Sequence, residues 1–181
     1  MSTITNVLKS SSIHKALEYF NKGLKIALST LGEMHPNIAV FYNSLAEIHK
    51  YKRDYDKAIY FHNECVKISY KSLGESHPNI ASFYNNLGVA YFKKRDFDKA
   101  LEYYNKCLKI YLDFLGDNNP SVAIFYNNLG SVYSEIRDYG MALEYFSKSL
   151  KIQMSLLGEQ HPYTALIIEL FNNAKKALNK K

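Results

Sequence analysis

Residues 77–97 read HPNIASFYNNLGVAYFKKRDF, and within them Ile80, Phe83, Tyr84, Leu87 and Tyr91 recur at three- and four-residue steps. That spacing is one face of an α-helix, since a half-buried strand would alternate in twos. Pro78 suits the first turn, where the amide it lacks would be unpaired in any case. Asp96 then offers a side-chain oxygen to the free amides of a second helix. The buried stripe of that helix is Phe97, Ala100, Leu101, Tyr104, Cys107, Leu108 and Tyr111. Leu115-Gly116 ends it, because glycine can take the left-handed conformation that closes a helix. One unit is thus a pair of helices, A and B.

The unit repeats. Leu31-Gly32, Leu73-Gly74, Leu115-Gly116 and Leu157-Gly158 are each 42 residues from the next, and His35-Pro36, His77-Pro78, Asn119-Pro120 and His161-Pro162 keep the same step. Phe41-Tyr42-Asn43-Ser44-Leu45, Phe83-Tyr84-Asn85-Asn86-Leu87 and Phe125-Tyr126-Asn127-Asn128-Leu129 recur in register, as do Arg53-Asp54-Tyr55, Arg95-Asp96-Phe97 and Arg137-Asp138-Tyr139. A strict period of this length signals stacked helical repeats. Ala46, Gly88 and Gly130 on helix A, with Ala58, Ala100 and Ala142 on helix B, mark the closest approach of the two helices. Tyr42, Tyr84 and Tyr126 fill the wedge between helices.

The expected architecture is all-α, about eight helices in one domain over residues 1–181. A lone helix B covers 11–31, and A/B pairs follow at 35–73, 77–115 and 119–157. A last helix A at 161–178 closes the array. There Glu169, Leu170, Phe171 and Asn172 replace the Asn-Asn-Leu-Gly set, and Lys175 replaces the tyrosine, as suits a cap on which nothing stacks. The N-terminal helix has no complete partner. Either that end is exposed or the chain is one part of a longer array.

Leu87-Gly88 with Tyr91, followed by Asp96-Phe97 and Ala100, resembles the tetratricopeptide repeat, and the likeness covers nearly the whole chain. The 42-residue period, with Leu-Gly-Glu-x-His-Pro-Asn-Ile-Ala and Asn-Asn-Leu-Gly, resembles the kinesin light chain type. The resemblance implies a right-handed superhelical solenoid whose A helices line the concave side. It also implies a non-catalytic scaffold that holds an extended peptide or a partner protein, gripping its backbone with the asparagines of helix A.

On the A helices, the face opposite the core stripe carries Asn43, Ser44, Glu47, Lys50 and Tyr51 in the first pair. The second carries Ser82, Asn85, Asn86, Val89, Phe92 and Lys93, and the third Ile124, Asn127, Asn128, Ser131, Ser134 and Glu135. Asparagine is a moderate-to-poor helix former, so five of them in mid-helix cost stability without an evident packing return. An amide offers donor and acceptor together and can bond both backbone groups of an extended strand. Two readings stand: the amides face a ligand, or they bond between neighbouring repeats and water. The candidate peptide-binding residues are Asn43, Ser44, Lys50, Asn85, Asn86, Val89, Phe92, Lys93, Asn127, Asn128 and Ser131. Capture of a chaperone's terminal carboxylates would call for Lys and Arg on successive A helices, whereas Asn, Ser and Glu stand there. A ligand of mixed or weakly acidic character fits better, with Val89 and Phe92 forming an apolar pocket.

Other functions find little support. His35, His77 and His161 are one repeat apart, too far to share an ion at ~2 Å bond lengths, so they are read as helix starts and no metal or cofactor is expected. His62 takes the slot of Phe20, Tyr104 and Phe146 and is read as a hydrogen-bonded core ring. Cys65 and Cys107, ~20 Å apart if each repeat is two helices wide, are expected as free buried thiols. No phosphate loop, CxxC pair or nucleophile elbow occurs, and no enzyme is read.

The A helices lack a basic stripe, which argues against nucleic acid. Net charge is +6, with Lys175, Lys176, Lys180 and Lys181 at the tail; such a tail can touch RNA, acidic proteins or a membrane surface, or is a solvated helix end. No signal segment or membrane span is read, so the expected location is the cytoplasm. Self-association through the terminal helices is the second reading of function, suggested by the lone first helix and the apolar run Tyr163 to Phe171.

Overall fold

The computed structural model describes residues 2–74 and 77–180, and in these it forms eight α-helices. They are α1 (Ser2–Leu31), α2 (Pro36–Tyr51), α3 (Tyr55–Leu73), α4 (Pro78–Lys94), α5 (Phe97–Leu115), α6 (Pro120–Glu135), α7 (Tyr139–Leu157) and α8 (Pro162–Leu178). The first helices α2, α4, α6 and α8 begin at the repeated prolines, and the second helices α3, α5 and α7 end at the repeated Leu-Gly. α1 runs back to Ser2, beyond the start at residue 11 read from the sequence; no glycine or proline precedes Gly23 to break it.

The chain divides into two compact units, Met1–Lys94 and Arg95–Lys181. In the first, α1 packs on α2, α2 on α3 and α3 on α4. Leu24, Ile38, Leu45, Cys65 and Ile68 form its core, with Phe20, Phe41 and Phe83 packed around them. In the second, α5 packs on α6, α6 on α7 and α7 on α8. Ala142, Phe146, Ile167 and Ala174 anchor its last two helices.

In the pairs α2/α3 and α6/α7 the second helix also reaches the backbone of the first. The Cys65 thiol donates to the Ala39 carbonyl at 3.3 Å, and the Ser149 hydroxyl donates to the Ala123 carbonyl at 2.7 Å. Both cysteines are buried and neither is in a disulfide, and burial pushes Cys65 up to about 12. Gly130 shows why its position must be small, since a Cβ there would come within 2.7 Å of the Phe146 ring.

The first helices start on side-chain caps. His35, His77 and His161 accept through Nδ1 from the amides of Asn37, Asn79 and Tyr163, and Asn119 Oδ1 accepts from Ser121. Asp54, Asp96 and Asp138 do the same for α3, α5 and α7. The two kinds of helix end differently. α2 and α6 close through Arg53 and Arg137, at φ 60° and 64°, with the next amide bonding back to His49 and Tyr133. That is the compact left-handed cap, which non-glycine residues can adopt at some strain.

The second helices end instead at Gly74, Gly116 and Gly158, where φ is 73–80° but ψ is 165–177°. The sequence reading of a left-handed glycine thus holds in φ, whereas ψ is extended, a combination open essentially to glycine alone. Around Gly158 nothing lies within 4 Å of an added Cβ, so any penalty comes from the backbone. Gly158→Ala is expected to lower the unfolding free energy by about 1–3 kcal/mol, read from the urea midpoint.

Candidate functional site

The candidate residues sit on the first helices, and in the first unit these border a cleft of ≈480 Å³. Pro36, Ala39, Val40 and Asn43 of α2 form one wall, Asn79, Ser82 and Phe83 of α4 the other, and Ser69 and Ser72 of α3 complete the lining. Asn43 is half-buried, and its Oδ1 is buried with no hydrogen-bond partner in the protein. An amide left half-satisfied costs roughly 1–3 kcal/mol. Ser72 Oγ is turned back to the Ile68 carbonyl at 3.1 Å, and Ser82 Oγ to Asn79 at 2.8 Å.

Of the candidate peptide-binding residues only Asn43 lines this cleft, together with Ser82, which the sequence places on the same face. Ser44 donates to the Val40 carbonyl at 2.9 Å, and Lys50 pairs with Glu47 one turn away. On α4, Asn85, Asn86, Val89 and Phe92 are half-buried, and the exposed Lys93 ammonium lies 5.8 Å from the Phe92 ring centre. In the second unit Asn128 and Ser131 are half-buried, and Ser131 donates to the Asn127 carbonyl at 2.9 Å.

Asn127, two repeats on from Asn43, is only 9% exposed. Tyr163 of α8 stands there where Asn79 stands in the first unit. Burial pushes the Tyr163 phenol up, and a hydrogen bond with the Asn127 side chain partly offsets it. Asn127 Oδ1, like Asn43 Oδ1, has no partner in the protein.

Sequence reasoning missed Asn79, Ser69 and Ser72. Asn79 follows Pro78 and was absorbed into the helix start, while the two serines lie on a second helix, which the reading assigned wholly to the opposite side. Their small polar side chains at helix-turn spacing were the available signal.

One expectation is corrected. His62 is indeed a core ring, fully buried, but neither ring nitrogen has a hydrogen-bond partner. Glu47 Oε1 is 3.7 Å from its Nε2, beyond hydrogen-bond reach, and burial lowers the ring to about 4, so the histidine stays neutral. His49 is better placed, with Nδ1 3.1 Å from Asp54 Oδ2. Among the described residues no helix is long and apolar enough to cross a membrane.

The description of the tetratricopeptide repeat matches residues 8–71, 69–113 and 79–155. The chain therefore belongs to the tetratricopeptide repeat family. Its repeats are kinesin light chain-like, similar to those of two solved structures. BtubC (BKLC) from P. vanneervenii is 26% identical, with a TM-score of 0.83 over 95% of this chain and 68% of that one. A provisional kinesin light chain from Podosopora anserina, with nearly identical TPR-like repeats, is 21% identical, with a TM-score of 0.81 over 96% and 82%. The TPR2B domain of yeast Sti1, solved with an Hsp70 peptide, is 18% identical with a TM-score of 0.59 over 76% and 96%, a likeness of fold. No curated protein sequence matches the chain.

Proposed function

We propose that this protein is a non-catalytic protein–protein interaction scaffold that holds extended peptide segments along its first helices. The observation that carries the reading is Asn43, whose amide borders the ≈480 Å³ cleft between α2 and α4 with its Oδ1 buried and unpartnered. A helix that retains such a group carries a cost, and rotation of the amide toward the cleft would let a ligand's backbone amide offset it. Asn85 and Asn127 stand at the register of Asn43, Asn86 and Asn128 at that of Ser44, and Val40 and Phe83 add apolar contact. The Sti1 structure holds an Hsp70 peptide on a related fold, which supports peptide capture as the class of activity.

The cleft offers serine and asparagine, so the favoured ligand is recognised through its main chain, with small or mixed side chains. Peptides selected by display on the wild-type chain supply the test. Replacing Asn43, Asn85, Asn86, Asn127 and Asn128 with alanine is expected to weaken calorimetric affinity by about tenfold or more while helicity is retained. Unchanged affinity would reject the groove.

A further inference from the structure

In the second unit a cavity of ≈380 Å³ is lined by Asp117 and Asn118 of the turn before α6, Tyr126 of α6, and Lys148, Lys151 and Ser155 of α7. Lys148 is held in place. Its ammonium pairs with Glu144 at 2.6 Å and lies 5.9 Å and 5.1 Å from the ring centres of Tyr126 and Tyr145. Burial pushes the Tyr126 phenol up, Asp117 adds to that and Lys148 opposes it, so both charges act on the same hydroxyl. Lys151, one turn further along α7, forms no ion pair among the described residues, although Asp117 borders the same space.

The other complete pairs are built differently at this register. The first has Glu64 where Lys148 stands, and Glu64 takes up Lys67, the counterpart of Lys151, at 3.6 Å. The middle pair keeps both lysines, as Lys106 and Lys109, but places Asp113 in the position of Ser155. Of the three complete pairs, only α6/α7 therefore brings two lysines and a serine to this place with no acid among them. Like charges one turn apart weaken a helix, and an anion seated beside them removes that repulsion.

We propose that this cavity is a second binding site, which takes an aspartate or glutamate side chain of a partner peptide. The carboxylate meets Lys151, with Lys148 adding positive potential, and the Tyr126 and Ser155 hydroxyls and the Asn118 amide donate hydrogen bonds to it. Asp117 sets the class of anion. A peptide carboxylate carries one charge and brings backbone N–H groups that the Asp117 oxygens can accept, whereas a phosphate sets a second negative charge against them. The site uses no asparagine of the first helices, so it does not rest on the Asn43 cleft.

The test is an NMR titration of the full chain with a capped tripeptide whose central residue is glutamate. It is read at the Ile152 methyls and the Asn118 side-chain amide, both of which line the cavity. Saturable shifts are expected, and a tripeptide with glutamine in the centre should give none. Lys151→Gln is expected to weaken binding about tenfold or more. Lys148→Glu should do the same by capturing Lys151 as Glu64 captures Lys67, and both lysines are exposed, so the fold is retained. Asn43→Ala should leave the titration unchanged, which keeps failure of this site distinct from failure of the peptide cleft. Absence of saturation, equal shifts with the glutamine peptide, or binding that survives Lys151→Gln overturns the proposal. Inorganic phosphate that binds more tightly than the glutamate tripeptide also overturns it, in favour of a phosphate site.

Discussion

Gly130→Ala is expected to destabilise the protein by about 1–3 kcal/mol, against the usual direction for glycine in the middle of a helix. On helix propensity alone the change would gain roughly 1 kcal/mol, because alanine is the best helix former and glycine among the worst. Packing decides the sign. The new Cβ would lie 2.7 Å from two carbons of the Phe146 ring and 3.1 Å from a third. Phe146 is 1% exposed, so the ring has nowhere to retreat. Relief requires α6 and α7 to part at the contact that anchors the second unit. Equilibrium urea unfolding reads the effect, and a variant as stable as the wild type would show that the crossing is looser than the distances imply.

The first unit solves the same crossing with another pair. Ala46 replaces the glycine and His62 replaces the phenylalanine, both fully buried. The larger small residue is matched by the smaller ring, but the ring brings two nitrogens that find no partner. This leads to the second expectation, a stability that depends on pH. His62 is lowered to about 4 by burial, with Glu47 opposing and Lys50 reinforcing the shift, while the unfolded histidine titrates near the ordinary 6.5.

Above pH ~6.5 both states are neutral, and the full stability is present. Between ~6.5 and ~4 only the unfolded chain takes up the proton, so unfolding becomes easier as pH falls, by up to about 3 kcal/mol. His49 is also lowered by burial, opposed by its bond to Asp54, and adds a smaller dependence of the same sign. His62→Phe with Ala46→Gly recreates the pairing of Phe146 with Gly130. That double variant is expected to flatten most of the pH dependence in urea midpoints from pH 7 to pH 4. Retention of the full slope would assign it to other groups.

Much of the fold was legible because the repeat states it several times over. Glycine and proline mark each turn from a second helix to the next first helix, and four occurrences of each mark leave little freedom. What escaped was information carried by three-dimensional neighbours. Arg53 and Arg137 adopt positive φ, yet nothing in an arginine announces it; the cap is imposed by the bonds of the following aspartates to His49 and Tyr133. His62 was expected to find a partner, and whether one exists depends on how far Glu47 reaches from another helix, which here is 3.7 Å.

The candidate site was legible in part for the same reason. Counting along one helix selects the asparagines but not which of them borders open space. Asn43 faces Asn79 across a cleft, while its counterpart Asn127 is covered by Tyr163. Identical positions therefore acquire different surroundings through the side chains that the neighbouring helices present, Asn79 in one case and Tyr163 in the other.

Each half of the molecule carries one thiol. Cys65 in the first and Cys107 in the second are both 0% exposed; burial holds Cys65 up at about 12, and a buried thiol is inert until its surroundings part. An alkylating reagent added to the native protein thus acts as a pair of clocks. The rate at which each cysteine acquires its mass tag reports how often that half breathes open, so loosening of one by mutation or ligand can be timed without disturbing the other.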